Sequence, residues 1–273
     1  MKFSLDLNRT CVMGILNVTP DSFSDGGRFY DKGSALAHAV EMAAEGAEII
    51  DVGGQSTRPG SVPVSVEEEL SRTIPIIEAL AGKINTPISI DTYRAQVARA
   101  AINAGASVVN DISAMQFDPD MAAVIANTGA DIVLMHIKGT PVDMQINPVY
   151  EDVVSEVYTY LKERIEAAQQ SGIDASKIII DPGVGFGKTV EHNLRLINNL
   201  QRFKDLKVPL LIGPSRKAFV GHITNVATPD MRLMGSAAAV AISLYNGANI
   251  VRVHDVKEMV QVVRAVEAIK SYG

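Results

Sequence analysis

Short runs of β-branched and aliphatic residues alternate with longer amphipathic segments eight times along this chain, and that rhythm limits the fold more than any other feature. The runs are Val12–Leu16, Ile49–Val52, Ile88–Ile90, Val108–Val109, Ile132–Met135, Ile178–Ile180, Leu210–Ile212 and Ile250–Val253. Helical patterns lie between them at Lys32–Glu45, Val66–Leu80, Arg94–Asn103, Pro119–Asn127, Tyr150–Ser171, Val190–Phe203 and Asp230–Tyr245, with Val256–Ser271 last. The second of these opens on Ser65-x-x-Glu68, the pattern of a capping box. Such alternation predicts an α/β protein whose parallel strands are joined by helices, a (β/α)8 TIM-type barrel occupying residues 1–273 as a single domain. A doubly wound open sheet has the same periodicity, because a one-dimensional pattern carries no information about closure.

Composition narrows what such a chain handles. At 47% hydrophobic residues it has ample core material, and no run of eighteen apolar residues suggests a membrane span. No basic segment leads into an apolar stretch at the N-terminus, so no signal peptide is expected. One cysteine, Cys11, excludes an intrachain disulfide and suits a reducing cytoplasm. The net charge of −6, without a Lys/Arg cluster, argues against nucleic acid as a partner.

Nearly every apolar run empties into polar residues. Asn17, Asp51, Asp91, Asn110-Asp111, His136, Asp181, Ser215-Arg216-Lys217 and His254-Asp255 stand at or just after the strand ends, and Arg252 sits inside the eighth run. A closed parallel barrel gathers those ends on one face, where enzymes of this architecture do their chemistry. A lone Asp in such a place is usually a helix N-cap, and Asp255 reads that way. The loop from Leu16 to Gly27, with its Asp, Ser and Gly residues and one Phe, is the first of these polar endings.

Arg58, Lys217, Arg252 and His254 fall on this face of an otherwise acidic chain, a pattern that suits phosphate. Asp91, Asn110 and Asp181 supply carboxylates and a carboxamide able to read the donors and acceptors of a heterocycle. Asn17, beside Asp21 and Asp25, suits a weakly held Mg2+ completed by water and substrate phosphate. The five histidines show no zinc-binding pattern. Asp181-Pro-Gly-Val-Gly-Phe-Gly-Lys-Thr189 ends like a Walker A loop, but Pro182 stands where that motif needs Gly. The loop fits better as backbone and an aromatic ring approaching a planar ligand.

Taken together, these pieces resemble the dihydropteroate synthase family of folate biosynthesis. The resemblance is carried by Met13 to Gly27 (MGILNVTPDSFSDGG), Asp51-Val-Gly-Gly54, Ser56-Thr-Arg-Pro-Gly60, Asp91-Thr92 and Asn110-Asp-Ile112. It continues through Leu134-Met-His136, Asp181 to Lys188, Ser215-Arg-Lys217 and Arg252-Val-His-Asp255. It implies a barrel that joins 6-hydroxymethyl-7,8-dihydropterin diphosphate to p-aminobenzoate and releases pyrophosphate. By position, Asp91, Asn110, Asp181 and Lys217 would hold the pterin ring, with Ile112, Met135, Phe186 and Gly213 lining it. Asn17, Arg58, Arg252 and His254 would meet the pyrophosphate and its Mg2+. Phe23, Ser56, Thr57, Pro59, Ser215 and Arg216 would form the p-aminobenzoate side, and Asp25 would contribute a loop carboxylate to catalysis. One departure stands out: Gln55 occupies a place where the family usually has Glu.

Two other functions share parts of this pattern. A pterin-binding methyltransferase would keep the ring-reading residues but need no anion motifs such as Ser56-Thr57-Arg58 and Ser215-Arg216-Lys217; an inactive pterin-binding protein is favoured only by Gln55. The family resemblance and the small apolar run Gly235–Ile242 predict a homodimer. The loops Val18–Gly33 and Gly53–Val64 are long and rich in Gly, Ser and Pro, and are expected to be mobile.

Overall fold

A computed structural model of the chain describes residues 10–18 and 32–272. Its strands are β1 (Cys11–Asn17), β2 (Ile49–Gly53), β3 (Ile88–Asp91), β4 (Val108–Asp111), β5 (Asp131–Met135), β6 (Ile178–Asp181), β7 (Leu211–Ile212) and β8 (Ile250–Val253). All pair in parallel, in the order β6-β5-β4-β3-β2-β1-β8-β7. Closure is made at the β6/β7 seam by a parallel bridge between Ile180 and Leu210 and by the Ile180 amide donating to the Pro209 carbonyl at 2.9 Å. The sheet is therefore a barrel, nearly closed, and not an open one. β7 is short because prolines stand on either side, at 209 and 214, and a proline has no N–H to extend a ladder.

Alternation along each strand divides the apolar residues into two sets. Cys11, Met13, Ile49, Val108, Val133, Ile179, Leu211 and Ile250 form one buried cluster that fills the barrel. Their odd-step neighbours, among them Val12, Ile50, Val109, Ile132, Ile180, Ile212 and Val251, join the larger cluster shared with the helices. Two residues beyond the inner cluster, on the same face of each strand, come Ile15, Asp51, Asn110, Met135, Asp181, Gly213 and Arg252. The barrel interior thus turns from apolar to polar within one residue pair, and that boundary is the floor of the candidate site.

The helices are α1 (Lys32–Glu45), α2 (Val66–Ala81), α3 (Ala95–Ala104), α4 (Met121–Thr128), α5 (Val153–Gln170), α6 (Val190–Asn198), α7 (Ala218–Thr224), α8 (Leu233–Tyr245) and α9 (Val256–Lys270). Helix α6 stops earlier than its pattern suggests and is followed by a 3-10 segment over Leu200–Leu206. Asn199 explains the break, since its side-chain amide donates to the Arg195 carbonyl at 2.8 Å and competes with the helical ladder. The short α7, directly after Ser215-Arg216-Lys217, has no sequence periodicity to reveal it. At α2 only half of the expected capping box forms: Ser65 Oγ accepts the Glu68 amide at 3.1 Å, while the Glu68 carboxylate pairs with Arg72. A reciprocal box occurs instead at α6, between Thr189 and His192.

Candidate active site

The floor is an ionic cluster. Arg252 on β8 donates from Nε to Asp51 Oδ2 at 2.6 Å and from Nη2 to Asp91 Oδ2 at 2.8 Å. Asn110 on β4 donates to the same Asp51 oxygen at 3.0 Å. An arginine inside a core strand is tolerable because these two carboxylates neutralise it. Its Nε and Nη2 are therefore committed to carboxylates of the protein. Asp51, fully buried, is the residue that residue-by-residue reading left among the strand ends without a role. The step of two from Ile49 to Asp51, matched by Ile250 to Arg252, was the signal that could have found it.

Asp91 and Asn110 are register partners at the ends of β3 and β4, and Met135 and Asp181 are partners at β5 and β6. Burial pushes the Asp91 carboxyl up; Arg252 opposes this, while Asp51, Glu69 and Asp111 add repulsion. Burial also raises Asp181, against the pull of Lys217 and of the Gly183 amide, which donates to its Oδ1 at 2.7 Å. Among the described residues Asp91 Oδ1 has no hydrogen-bond partner, nor do Asp51 Oδ1 and Ser89 Oγ. Buried oxygens without a partner are costly, and at a pocket floor they are the atoms a donor-rich ligand would satisfy.

Lys217 reaches the same space from the start of α7. Its ammonium donates to the Val184 carbonyl and lies 4.4 Å from the centre of the Phe186 ring. Burial brings its pKa down to about 8 in spite of Asp181. Gly185 gives room for it: a Cβ there would come within 2.8 Å of Lys217 Cδ, and its φ of +84° is one that side chains rarely adopt. Ile112, Met135, Ile137 and Met144 form an apolar cluster beside this group, with Tyr93 and Phe186 packed on it. Gly213 packs against Arg252. Carboxylates, an amide, an ammonium and a flat apolar wall so converge on one end of the mouth.

At the other end lie Asn17, Ser215 and His254. Ser215 Oγ accepts the His254 amide at 3.2 Å and lies 3.0 Å from its Nδ1, where the hydroxyl donates when the ring proton is on Nε2 and accepts when it is on Nδ1. Burial, followed by repulsion from Arg252, Arg216 and Arg58, holds the His254 pKa down at about 3, which keeps the imidazole neutral. Asn17 ends β1, close to Asp91: its Oδ1 and the Asp91 carboxylate both approach the open face of Gly53.

Arg216, expected on the p-aminobenzoate side, lines one cavity with Asn17 and His254, and carboxylates hold its side chain. Its fork closes on Asp255 at 3.1 and 2.5 Å and on Asp230 at 2.5 Å. Its backbone, at φ +57°, is fixed by Ser236 Oγ on the amide and Arg232 on the carbonyl. Asp255 does stand at the N-cap of α9, but its side chain makes no capping bond because the carboxylate is occupied by Arg216. The N-cap reading of that side chain is corrected accordingly.

The loop after β2 does not hang free. Arg72 holds the Gly54 carbonyl at 2.8 Å, and Arg94, paired with buried Glu69, holds the Val64 carbonyl at 2.6 Å. Gln55 closes the base: its amide donates to Tyr93 Oη at 3.0 Å and accepts the Val64 amide at 3.3 Å. At the tip, the Gly60 amide donates to the Pro141 carbonyl at 2.8 Å. Ser56 Oγ accepts the Arg58 amide at 3.4 Å. Arg58 and Pro59 are exposed, with Ser56 and Thr57 half-buried before them. Phe23 and Asp25, with Asp21 and most of the first loop, lie outside the described residues. Sequence reading passed over the arginine pins, whose partners are main-chain carbonyls.

Residues 13–254 match the family model described as pterin binding enzyme. A dihydropteroate synthase of Synechocystis is 49% identical over 261 residues, covering 96% of this chain and 90% of that protein. Among solved structures, Xanthomonas albilineans dihydropteroate synthase with 4-aminobenzoic acid superposes with a TM-score of 0.92 at 44% identity, covering 99% of each chain. The same enzyme in complex with 7,8-dihydropteroate gives 0.88 at 42% identity, covering 97% of this chain and 95% of that one.

Proposed function

The chain belongs to the pterin-binding enzyme family, and from that premise we propose how its barrel mouth carries out the dihydropteroate synthase reaction. The reaction condenses 6-hydroxymethyl-7,8-dihydropterin diphosphate with p-aminobenzoate to 7,8-dihydropteroate and releases pyrophosphate. The chain is thus a transferase of folate biosynthesis. The observation that carries the site assignment is the polar ring above the apolar barrel core, with Asp91, Asn110, Asp181 and Lys217 at one end and Ser215 and His254 at the other.

In this reading the pterin enters ring first. Asp181 and Asp91 accept from its ring N–H groups, Asn110 offers a carboxamide, and Lys217 donates to a ring acceptor above the Phe186 face. Arg252 belongs to the floor, where it holds Asp51 and Asp91. The C–O bond to the diphosphate breaks as charge moves to the leaving group. Neutral His254 donates to it through Nε2 and exposed Arg58 supplies a cation, both aimed where charge grows. The electron-rich dihydropterin shares the positive charge on its exocyclic carbon, with Asp91 near, and the arylamine attacks that carbon, forming the C–N bond and giving up one N–H proton to water. No enzyme nucleophile is needed, and Cys11 is buried in the core.

Mg2+ fits this chain as a substrate-borne ion. Among the described residues no group of three His, Cys, Asp or Glu could hold a metal alone. Asn17 would supply one oxygen to an ion otherwise held by water and diphosphate, and when bound it would neutralise the leaving group.

The assembly in this reading is a homodimer through α8. Gly235, which opens the small run Gly235–Ile242, is not itself the contact, because it receives Val220 and Thr224 of this same chain. Met231, Met234, Ile242 and Tyr245 instead form an exposed apolar stripe, with Ile269 of α9 also exposed. No helix of the described residues is long and apolar enough to cross a membrane, and the reduced, buried cysteine suits the cytoplasm. A pyrophosphate-release assay tests the activity. Release should require the dihydropterin diphosphate and yield dihydropteroate only with p-aminobenzoate present. Methyl transfer from a reduced folate, without pyrophosphate release, would favour the methyltransferase reading.

A further inference from the structure

Lys188 is a buried cation to which the reaction above gives no part. Only 3% of it is exposed, at the end of the glycine-rich loop that carries Phe186. Its ammonium meets three acceptors: His136 Nδ1 at 2.9 Å, the Phe186 carbonyl at 2.9 Å and the His136 carbonyl at 3.4 Å. Three N–H donors against three acceptors is the complement of a charged lysine; burial works against that charge and holds Lys188 well below its usual range, with Asp181 opposing. With a charged Lys188 the Nδ1 is bare and His136 carries its proton on Nε2, whereas a neutral amine would accept a hydrogen bond from a protonated Nδ1. Burial holds His136 well below its usual range, with Lys188 adding to the effect, which keeps the ring neutral and able to accept.

The loop that Lys188 ties down is pressed against the end of β5. A Cβ on Gly183 would fall 1.9 Å from the His136 carbonyl oxygen, so backbone lies directly on backbone there. The loop carries both partners of Lys217, the Val184 carbonyl and the Phe186 ring. It begins at Asp181, whose Oδ1 accepts the Gly183 amide.

We propose that Lys188 is a positioning residue for the pterin end of the site: its ammonium clamps the Gly183–Gly187 loop onto His136, fixing Phe186 and Lys217 and keeping positive charge behind Asp181. The proposal rests on the pterin-binding reading above. Lys188 touches no substrate atom in it. The charges facing Asp181 are Lys217, Lys188 and Arg252, and those facing Lys188 are Asp181, Lys217 and Lys138. Removing Lys188 therefore takes away one of three cations that oppose the burial of the Asp181 carboxylate. The Asp181 pKa must rise, and pterin binding must be lost at a higher pH on acidification.

The test uses calorimetry on the full chain with two probes, 6-hydroxymethylpterin and inorganic pyrophosphate. K188M should weaken pterin binding by about tenfold, a loss typical of a misplaced binding group. Pyrophosphate binding, at the His254 end, should be unchanged. The acid limb of pterin affinity should move to higher pH, a displacement that general loosening of the fold would not produce. H136N, which keeps an acceptor near the Nδ1 position, should retain pterin affinity, whereas H136L should behave like K188M. A folded K188M with wild-type pterin affinity and an unmoved acid limb would overturn the proposal. If neither K188M nor H136L folds, nitrogen NMR of the wild-type His136 ring decides: a bare Nδ1 supports the clamp and a protonated Nδ1 refutes it. Failure of the wild-type protein to bind the pterin probe would strike the functional reading itself, and the NMR measurement would still judge the clamp.

Discussion

Asp51→Asn perturbs the floor of the site with the least change of shape. Asp51 Oδ2 accepts from both Arg252 Nε and Asn110 Nδ2, and the residue is fully buried. An Asn can keep its carbonyl oxygen at the Oδ2 position and accept from both donors, but the charge opposite Arg252 is lost and its NH2 takes the place of Oδ1, a buried atom without an acceptor beside it among the described residues. Breaking a buried ion pair costs about 3–5 kcal/mol when the remaining charge is stranded. Arg252 is not stranded, because Asp91 still holds Nη2, which puts the ionic loss below that range at about 2 kcal/mol. An unpaired buried donor adds about 1 kcal/mol, the low end for such groups. The sum, about 3 kcal/mol, corresponds to a melting temperature lower by about 6–12 °C for a chain of this size. Differential scanning calorimetry without ligand measures it. The same variant reads Asp91: burial is the main reason its carboxyl is raised, and Asp51 contributes repulsion. Without that charge Asp91 ionises at lower pH, so the acid limb of pyrophosphate release moves downward. A variant that melts within 2 °C of wild type, a window well below the expected shift, and keeps its pH profile would show that the Asp51–Arg252–Asn110 cluster is not what holds the floor.

Other outcomes follow from the same geometry. Asp181→Asn should weaken 6-hydroxymethylpterin binding by about 2–4 kcal/mol, since an amide would turn a donor towards ring N–H groups; unchanged affinity in calorimetry would remove Asp181 from the pocket. Chelation by EDTA should abolish pyrophosphate release, and activity that survives complete removal of divalent metal would refute the role given to Asn17. Replacing Met234 and Ile242 with Glu should yield monomers in light scattering, whereas a wild-type monomer at micromolar concentration would dispose of the dimer. Calorimetry should show p-aminobenzoate binding more tightly with pyrophosphate and Mg2+ present, because Arg58 and Pro59 lie exposed on a loop anchored elsewhere; equal affinity would mean a preformed second site.

The sequence by itself determined the kinds and order of the elements and which end of the barrel is polar. Strand and helix periodicity are local properties, and each of the eight runs became a strand within a residue or two of its expected ends. The polar residues after those runs stood out because nothing in a core can use them unpaired. Local pattern also fails locally. The seven residues of α7 are too few to show a period, and Asn199 ended α6 through a side-chain bond that composition does not display.

Closure and pairing were decided by the tertiary structure alone. Whether eight parallel strands form a barrel depends on contact between β6 and β7, which rests here on the Ile180–Leu210 bridge. The partners of Arg252, Arg216 and Lys188 lie 201, 39 and 52 residues away in Asp51, Asp255 and His136. A charge in a sequence announces only that it needs a counter-charge or acceptors. Which group answers is set by the strand register and loop path that bring distant residues within 3 Å, and so only the folded chain distinguishes an arginine that meets a ligand from one that holds the floor beneath it.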